Sequence, residues 1–158
     1  MRRDRLVLLV LAAVALLVVV VAVRERRAHH AFVLRASWTL TPGVLNPDVT
    51  QATIGQTICV HGWTRTIRPP SDYTTELKRK QLAAYGLHGS LSGYQEDHLI
   101  SLELGGHPSD PRNLWPESYP RAADVDQIEN QLNDEVCSGH LTLAEAQRRE
   151  SELKHTHG

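Results

Sequence analysis

The sequence predicts an α+β domain carried behind one N-terminal transmembrane helix. Three observations lead there. Leu6 to Val23 is an unbroken apolar run with Arg2, Arg3 and Arg5 on one side and Arg24, Arg26 and Arg27 on the other. Thr57 to Ile67 is rich in β-branched and aromatic residues and stops at Arg68-Pro69-Pro70, which is strand composition. Three later segments, near 75–85, 121–136 and 142–154, carry helical spacing and helix boundary signals. At 158 residues there is room for one ordinary domain plus attachments.

Residues 1–5 form a basic flank and 6–23 the span. As a helix the run is about 27 Å long, close to the hydrocarbon thickness of a bilayer. Only a helix satisfies its own backbone there, so Val18 to Val21 do not argue for a strand. A cleaved signal peptide is the competing reading. Its apolar region is usually about 7–15 residues, and no small-residue cleavage site precedes Arg24-Glu25-Arg26-Arg27 here.

Basic residues near the span are balanced, with Arg24, Arg26, Arg27 and Arg35 after it, so charge does not set its orientation. The two cysteines, Cys59 and Cys137, have neither C-x-x-C nor zinc-finger spacing. An even pair suits one disulfide in an oxidising compartment, worth about 4–5 kcal/mol for a loop of that length. Two unlinked buried thiols are the alternative. The expected placement is a single-pass protein with a cytoplasmic N-terminus and an extracytoplasmic domain.

Residues 24–41 are polar and basic and read as a linker, and the domain is expected over 42–158. Thr41-Pro42-Gly43 and Asn46-Pro47-Asp48 are turn chemistry, so 41–50 is an irregular entry. Strand 57–67 follows, bent at Gly62. A helix over 75–85 starts at a threonine N-cap and stops at Gly86. Gly86, Gly89 and Gly93 make a flexible loop into 94–136. Val125, Ile128, Leu132 and Val136 recur at helical spacing within 121–136, ended by Ser138-Gly139. Thr142-Leu143-Ala144-Glu145 is a capping box opening a last helix to about Lys154.

The chemistry lies in 94–136. Glu96-Asp97-His98-Leu99-Ile100 is followed by Leu104-Gly105-Gly106 and then by Asn113-Leu114-Trp115-Pro116-Glu117. This series resembles the fingerprint of the HNH, or ββα-metal, endonucleases, in particular small bacterial membrane-anchored or exported members. Cys59, Gly62-Trp63 and Arg68-Pro69-Pro70 are similar to their upstream half. The resemblance implies a strand ending in Asp97-His98, a loop over 105–112, a second strand entered at Asn113, and a helix bearing a further metal ligand. It places helix ligands about nine and about thirteen positions past Asn113, at Ala122 and Asp126. Asp126 can ligate and Ala122 cannot, a departure from the family pattern.

Phosphodiester cleavage needs an activated water, charge stabilisation and help for the departing oxygen. His98 alone in the motif has an ordinary pKa near neutrality, so it is the expected general base. Asp97, its neighbour on a strand, points elsewhere and can hold a cation. Asn113 is expected to tie the loop backbone and so fix the His98 ring. Asp97 and Asp126 as ligands are hard oxygens, favouring Mg²⁺ or Mn²⁺, or Ca²⁺, over Zn²⁺.

Nucleic acid is the expected partner, held weakly through phosphates by Arg65, Arg68, Lys78, Arg79 and Lys80; a merely solvated helix face is the alternative for the last three. The whole chain has a formal charge of −1, and removing Arg2, Arg3, Arg5 and Asp4 leaves about −3, unlike a tight nucleic-acid binder. The membrane is contacted through the N-terminal helix, and no protein partner is indicated.

Trp115 is expected in the core, and Glu103 and Glu117 as surface carboxylates, with groups that support the site residues from behind as the alternative. His61 and His107 have no visible partner, His155 and His157 fall in an expected disordered tail, and nothing is assigned to His29 and His30. The expected function is metal-dependent, largely nonspecific hydrolysis of DNA or RNA outside the cytoplasmic membrane. The alternative is a catalytically degenerate module for binding or structure at the cell surface.

Overall fold

The computed structural model describes residues 14–17, 20, 34–119 and 121–158, in two compact units covering 1–33 and 34–158. In the first unit, 14–17 and 20 are helical. The rest of the expected span 6–23, together with His29 and His30, lies outside the described residues. Among the described residues no helix is long and apolar enough to cross a membrane.

The second unit is mixed helix and strand. Among its described residues it has α1 (Trp63–Ile67), α2 (Ser71–Ala84), β1 (Tyr94–His98), β2 (Leu114–Ser118), α3 (Arg121–Cys137) and α4 (Leu143–Thr156), with short 3₁₀ turns between them. β1 and β2 form an antiparallel hairpin in which Asp97 faces Trp115 and His98 faces Leu114. Both strands and α3 agree with the expected strand–loop–strand–helix order.

Thr57–Ile67 is not a strand. Turns run through it, with Val60 N–H donating to Thr57 O and Trp63 N–H to Val60 O, and α1 then occupies its second half. The segment pairs with neither strand of the two-stranded sheet formed by β1 and β2. Cys59 is instead tied to Cys137 by a disulfide, and Gly62 takes a left-handed conformation, φ 80°, at the helix start. Strand propensity without a strand to pair with is overridden by local bonding.

α2 also starts a turn earlier than its threonine suggests. Pro70 stands at the N-cap, and Asp72 places a carboxylate in the first turn, where the helix dipole favours it. Its end agrees with expectation: Leu87 N–H returns to Leu82 O at 2.8 Å across Gly86, φ 65°.

Two apolar clusters hold the elements together. Val49, Ile58, Ile100, Leu104, Leu132, Val136, Leu143 and Ala146 join the loops to α3 and α4, while Leu34, Ala36, Leu99 and Trp115 close the other side of the hairpin. Trp115 is core, as expected. The expected linker is shorter than 24–41, because Leu34 and Ala36 are buried and Ala36 N–H donates to Lys154 O at 3.0 Å. His155 is not in a loose tail either. It is buried, stacks on Trp38 with ring centroids 3.5 Å apart, and its Nε2 lies 3.0 Å from Thr41 O.

Candidate active site

A buried asparagine ties the hairpin loop from within. Asn113 is fully buried, and its carboxamide makes four backbone hydrogen bonds. Oδ1 accepts from Ile100 N–H at 3.0 Å and Val44 N–H at 3.4 Å; Nδ2 donates to the carbonyls of Ile100 and His107, both at 3.0 Å. Only an amide supplies both polarities in that space, so an asparagine stands here. Gly106 is required beside it, since a Cβ there would lie 1.7 Å from Ile100 O.

His98 ends β1 with its Nε2 2.9 Å from Pro108 O. A carbonyl only accepts, so Nε2 carries the proton and Nδ1 is left as the acceptor. Burial lowers the His98 pKa against the raising effect of that carbonyl, keeping the imidazole neutral near pH 7. Such a ring can take a proton but has none to spare.

Asp97 turns the other way, to α4. Its Oδ2 accepts from the Lys154 ammonium at 2.9 Å. Lys154 is fully buried and also donates to Glu129 Oε1 at 2.6 Å and to the carbonyl of His98, with Glu150 Oε1 at 3.3 Å. Glu150 is fixed in turn by Ser101 N–H, at 2.9 and 3.0 Å. Burial is the largest influence and would raise Asp97, but the groups around it, Lys154 foremost, together bring the carboxyl down to about 2.

Glu117, opposite Gln95 in the hairpin, is buried rather than a surface carboxylate. Neither of its oxygens meets an N–H or O–H donor among the described residues. Burial, then the charge of Asp97, pushes Glu117 up to about 9, so that near neutral pH it keeps its proton.

A cleft of about 270 Å³ opens over these groups, lined among others by Arg68, Asp97, His98, Glu103, Asp126 and Glu129. Carboxylate oxygens of Asp97, Asp126 and Glu129 lie within 4.8 Å of one another. Donors on opposite sides of one Mg²⁺- or Ca²⁺-sized ion stand about 4.2–4.8 Å apart, so the set fits a single hard divalent ion. Asp126 is exposed to the cleft, while Asp97 and Glu129 form its floor. Burial, ahead of the opposing pull of Lys154, holds Glu129 well above the usual carboxylate range. Comparison with protein-family models, with characterised proteins and with solved structures found no match.

The structure brings His98, Asp97, Asp126 and Arg68 to one cleft, while Asn113 ties the loop backbone and does not line it. It does not bring Lys78, Arg79 and Lys80 to the cleft lining. Lys78 Nζ donates to Tyr94 O at 2.8 Å, and Arg79 and Lys80 pair with Glu76 on the exposed face of α2. Arg65 is also absent from that lining. Glu103 is half-buried at the cleft rim, where burial raises its pKa and Arg68 opposes the rise.

Sequence reasoning assigns no role to Glu129 or Lys154, and its expectation of Glu117 as a surface carboxylate is overturned by burial. Glu129 had a usable signal, three positions after Asp126 and therefore on the same helical face. Ala122, the position that cannot ligate, is fully buried in the core. Lys154 had none, because Glu150 and Lys154 at i,i+4 read as an ordinary surface ion pair.

Proposed function

We propose that this protein is a metal-dependent phosphodiesterase of the ββα-metal type, hydrolysing nucleic acid with little sequence preference. The observation that carries this reading is the convergence of a neutral, carbonyl-oriented His98 with three carboxylates in one cleft. Asp97, Asp126 and Glu129 would hold the ion, and Mg²⁺ or Mn²⁺ suits their hard oxygens. When bound, it supplies Lewis acidity to the phosphate and to the leaving oxygen.

The chain's own groups do the rest. His98 Nδ1 takes a proton from water, whose oxygen attacks phosphorus while the bond to the leaving oxygen breaks. Arg68, exposed at the cleft, pairs with a non-bridging phosphate oxygen. Lys154 and Gln95 donate to Asp97 from two sides, so that its carboxylate has one orientation. A single cleft arginine and a negative domain make binding weak and salt-sensitive.

An extracytoplasmic domain behind a membrane anchor at 6–23 is part of the proposal. The Cys59–Cys137 disulfide supports that side of the membrane.

A second reading, a catalytically degenerate binding module, draws on Lys154. Its ammonium already occupies Asp97 and Glu129 from within, at 2.9 and 2.6 Å. Supercoiled plasmid incubated with the full-length protein in Mg²⁺ or Mn²⁺ separates the two. The nuclease reading expects nicking that EDTA stops and that His98→Ala reduces by about 10²–10⁴-fold at unchanged circular dichroism. No nicking with any divalent ion favours the binding module.

A further inference from the structure

The orientation of His98 depends on the loop that supplies Pro108 O, and that loop is braced from two directions. Within the hairpin, His107 Nδ1 accepts from the N–H groups of Ser109 and Asp110 at 3.3 and 3.0 Å, and Asn113 holds His107 O. From outside it, α2 reaches both ends. The Tyr73 hydroxyl donates to Ser109 O at 2.5 Å, and Gln81 Nε2 donates to Pro111 O at 2.9 Å and Leu114 O at 2.7 Å. The two side chains are about 12 Å apart along the helix axis, enough to span the loop.

We propose that α2 is the external brace of the general base and that Tyr73 is its positioning residue, acting through Ser109 on Pro108 O and so on the His98 ring. This rests on His98 being the base. Tyr73 is 37% exposed, so its ring contributes little to the core and its fixed contact is the hydroxyl. That hydroxyl keeps its proton and stays a donor, because burial and the charges of Asp110 and Glu96 raise its pKa. Without it, Ser109 loses its only side-chain tether outside the hairpin among the described residues, and the Pro108 carbonyl can swing.

The test is Tyr73→Phe in the full-length protein, which removes one oxygen and leaves the ring. Ring-nitrogen NMR reads His98 directly, and plasmid cleavage reads the consequence. The expected result is an unchanged fold, faster solvent exchange of the His98 Nε2 proton, and kcat lowered roughly tenfold at constant KM, as a small misplacement of a reacting group produces. Gln81→Met repeats the test at the other end of the loop should Tyr73→Phe not fold. An unaltered His98 Nε2 exchange rate in the folded variant overturns the proposal. If the wild type cuts no nucleic acid, the NMR result still decides the brace, and only the nuclease reading falls.

Discussion

Lys154 Nζ, fully buried near the end of the last helix, donates to Asp97 Oδ2 at 2.9 Å across 57 residues of chain. One ammonium thereby faces Asp97, Glu129 and Glu150, and through Asp97 the C-terminal helix is tied to the floor of the cleft. Removing one partner of a buried ion cluster leaves its carboxylates uncompensated. Lys154→Met should destabilise the protein by about 3–5 kcal/mol, read from urea unfolding. A loss under about 1 kcal/mol would mean the cluster holds without its cation.

Asn113 gives the second prediction. Asn113→Asp keeps the shape and both acceptor contacts but cannot donate to the carbonyls of Ile100 and His107. Two buried acceptors lose their partner beside a new buried charge, at a cost on the order of 2–4 kcal/mol by denaturant titration. An unchanged midpoint would show that the loop does not hang on this amide.

The motif residues were legible in the sequence because their constraints are local. Gly106 has no room for a Cβ, and three of the four backbone bonds of Asn113 go to Ile100 and His107, within the hairpin itself. The segment Thr57–Ile67 was illegible for the opposite reason. Its composition suits a strand, yet its conformation is set by a disulfide to a helix 78 residues away. Lys154 and Glu117 were hidden in the same way. A charged residue enters the interior only when a distant partner meets it, and one-dimensional spacing does not record that meeting.

Glu96 carries a separable part of the pH dependence, beside Glu117 and Glu129. Burial, partly countered by Lys78, pushes its carboxyl up to about 8, and both oxygens lack a donor among the described residues. The native state therefore holds a proton that the unfolded chain releases near pH 4.5. Its contribution favours folding most below that value and is lost as pH rises toward 8, levelling above it. Glu96→Gln should make thermal stability fall less steeply over this window and gain on the order of 1–3 kcal/mol at pH 8. A variant curve parallel to the wild type would contradict this.

Reducing Cys59–Cys137 should lower stability by about 4–5 kcal/mol in the chain-entropy account, shifting the urea midpoint down at constant slope. The bridge joins the end of α3 to the segment before α1, so its loss frees a long loop of the unfolded chain. Identical midpoints with and without reductant would show that the bridge contributes nothing.

The central claim is that Asp97, Asp126 and Glu129 bind one divalent ion, and calorimetric titration of the full-length protein with Mn²⁺ tests it most directly. Glu129 must give up a proton that its buried setting favours, so affinity should rise from pH 6 to pH 8. The account predicts one ion per chain and an affinity at least about tenfold weaker in Asp126→Ala. No heat of binding in the wild type, or equal affinity in Asp126→Ala, would contradict it.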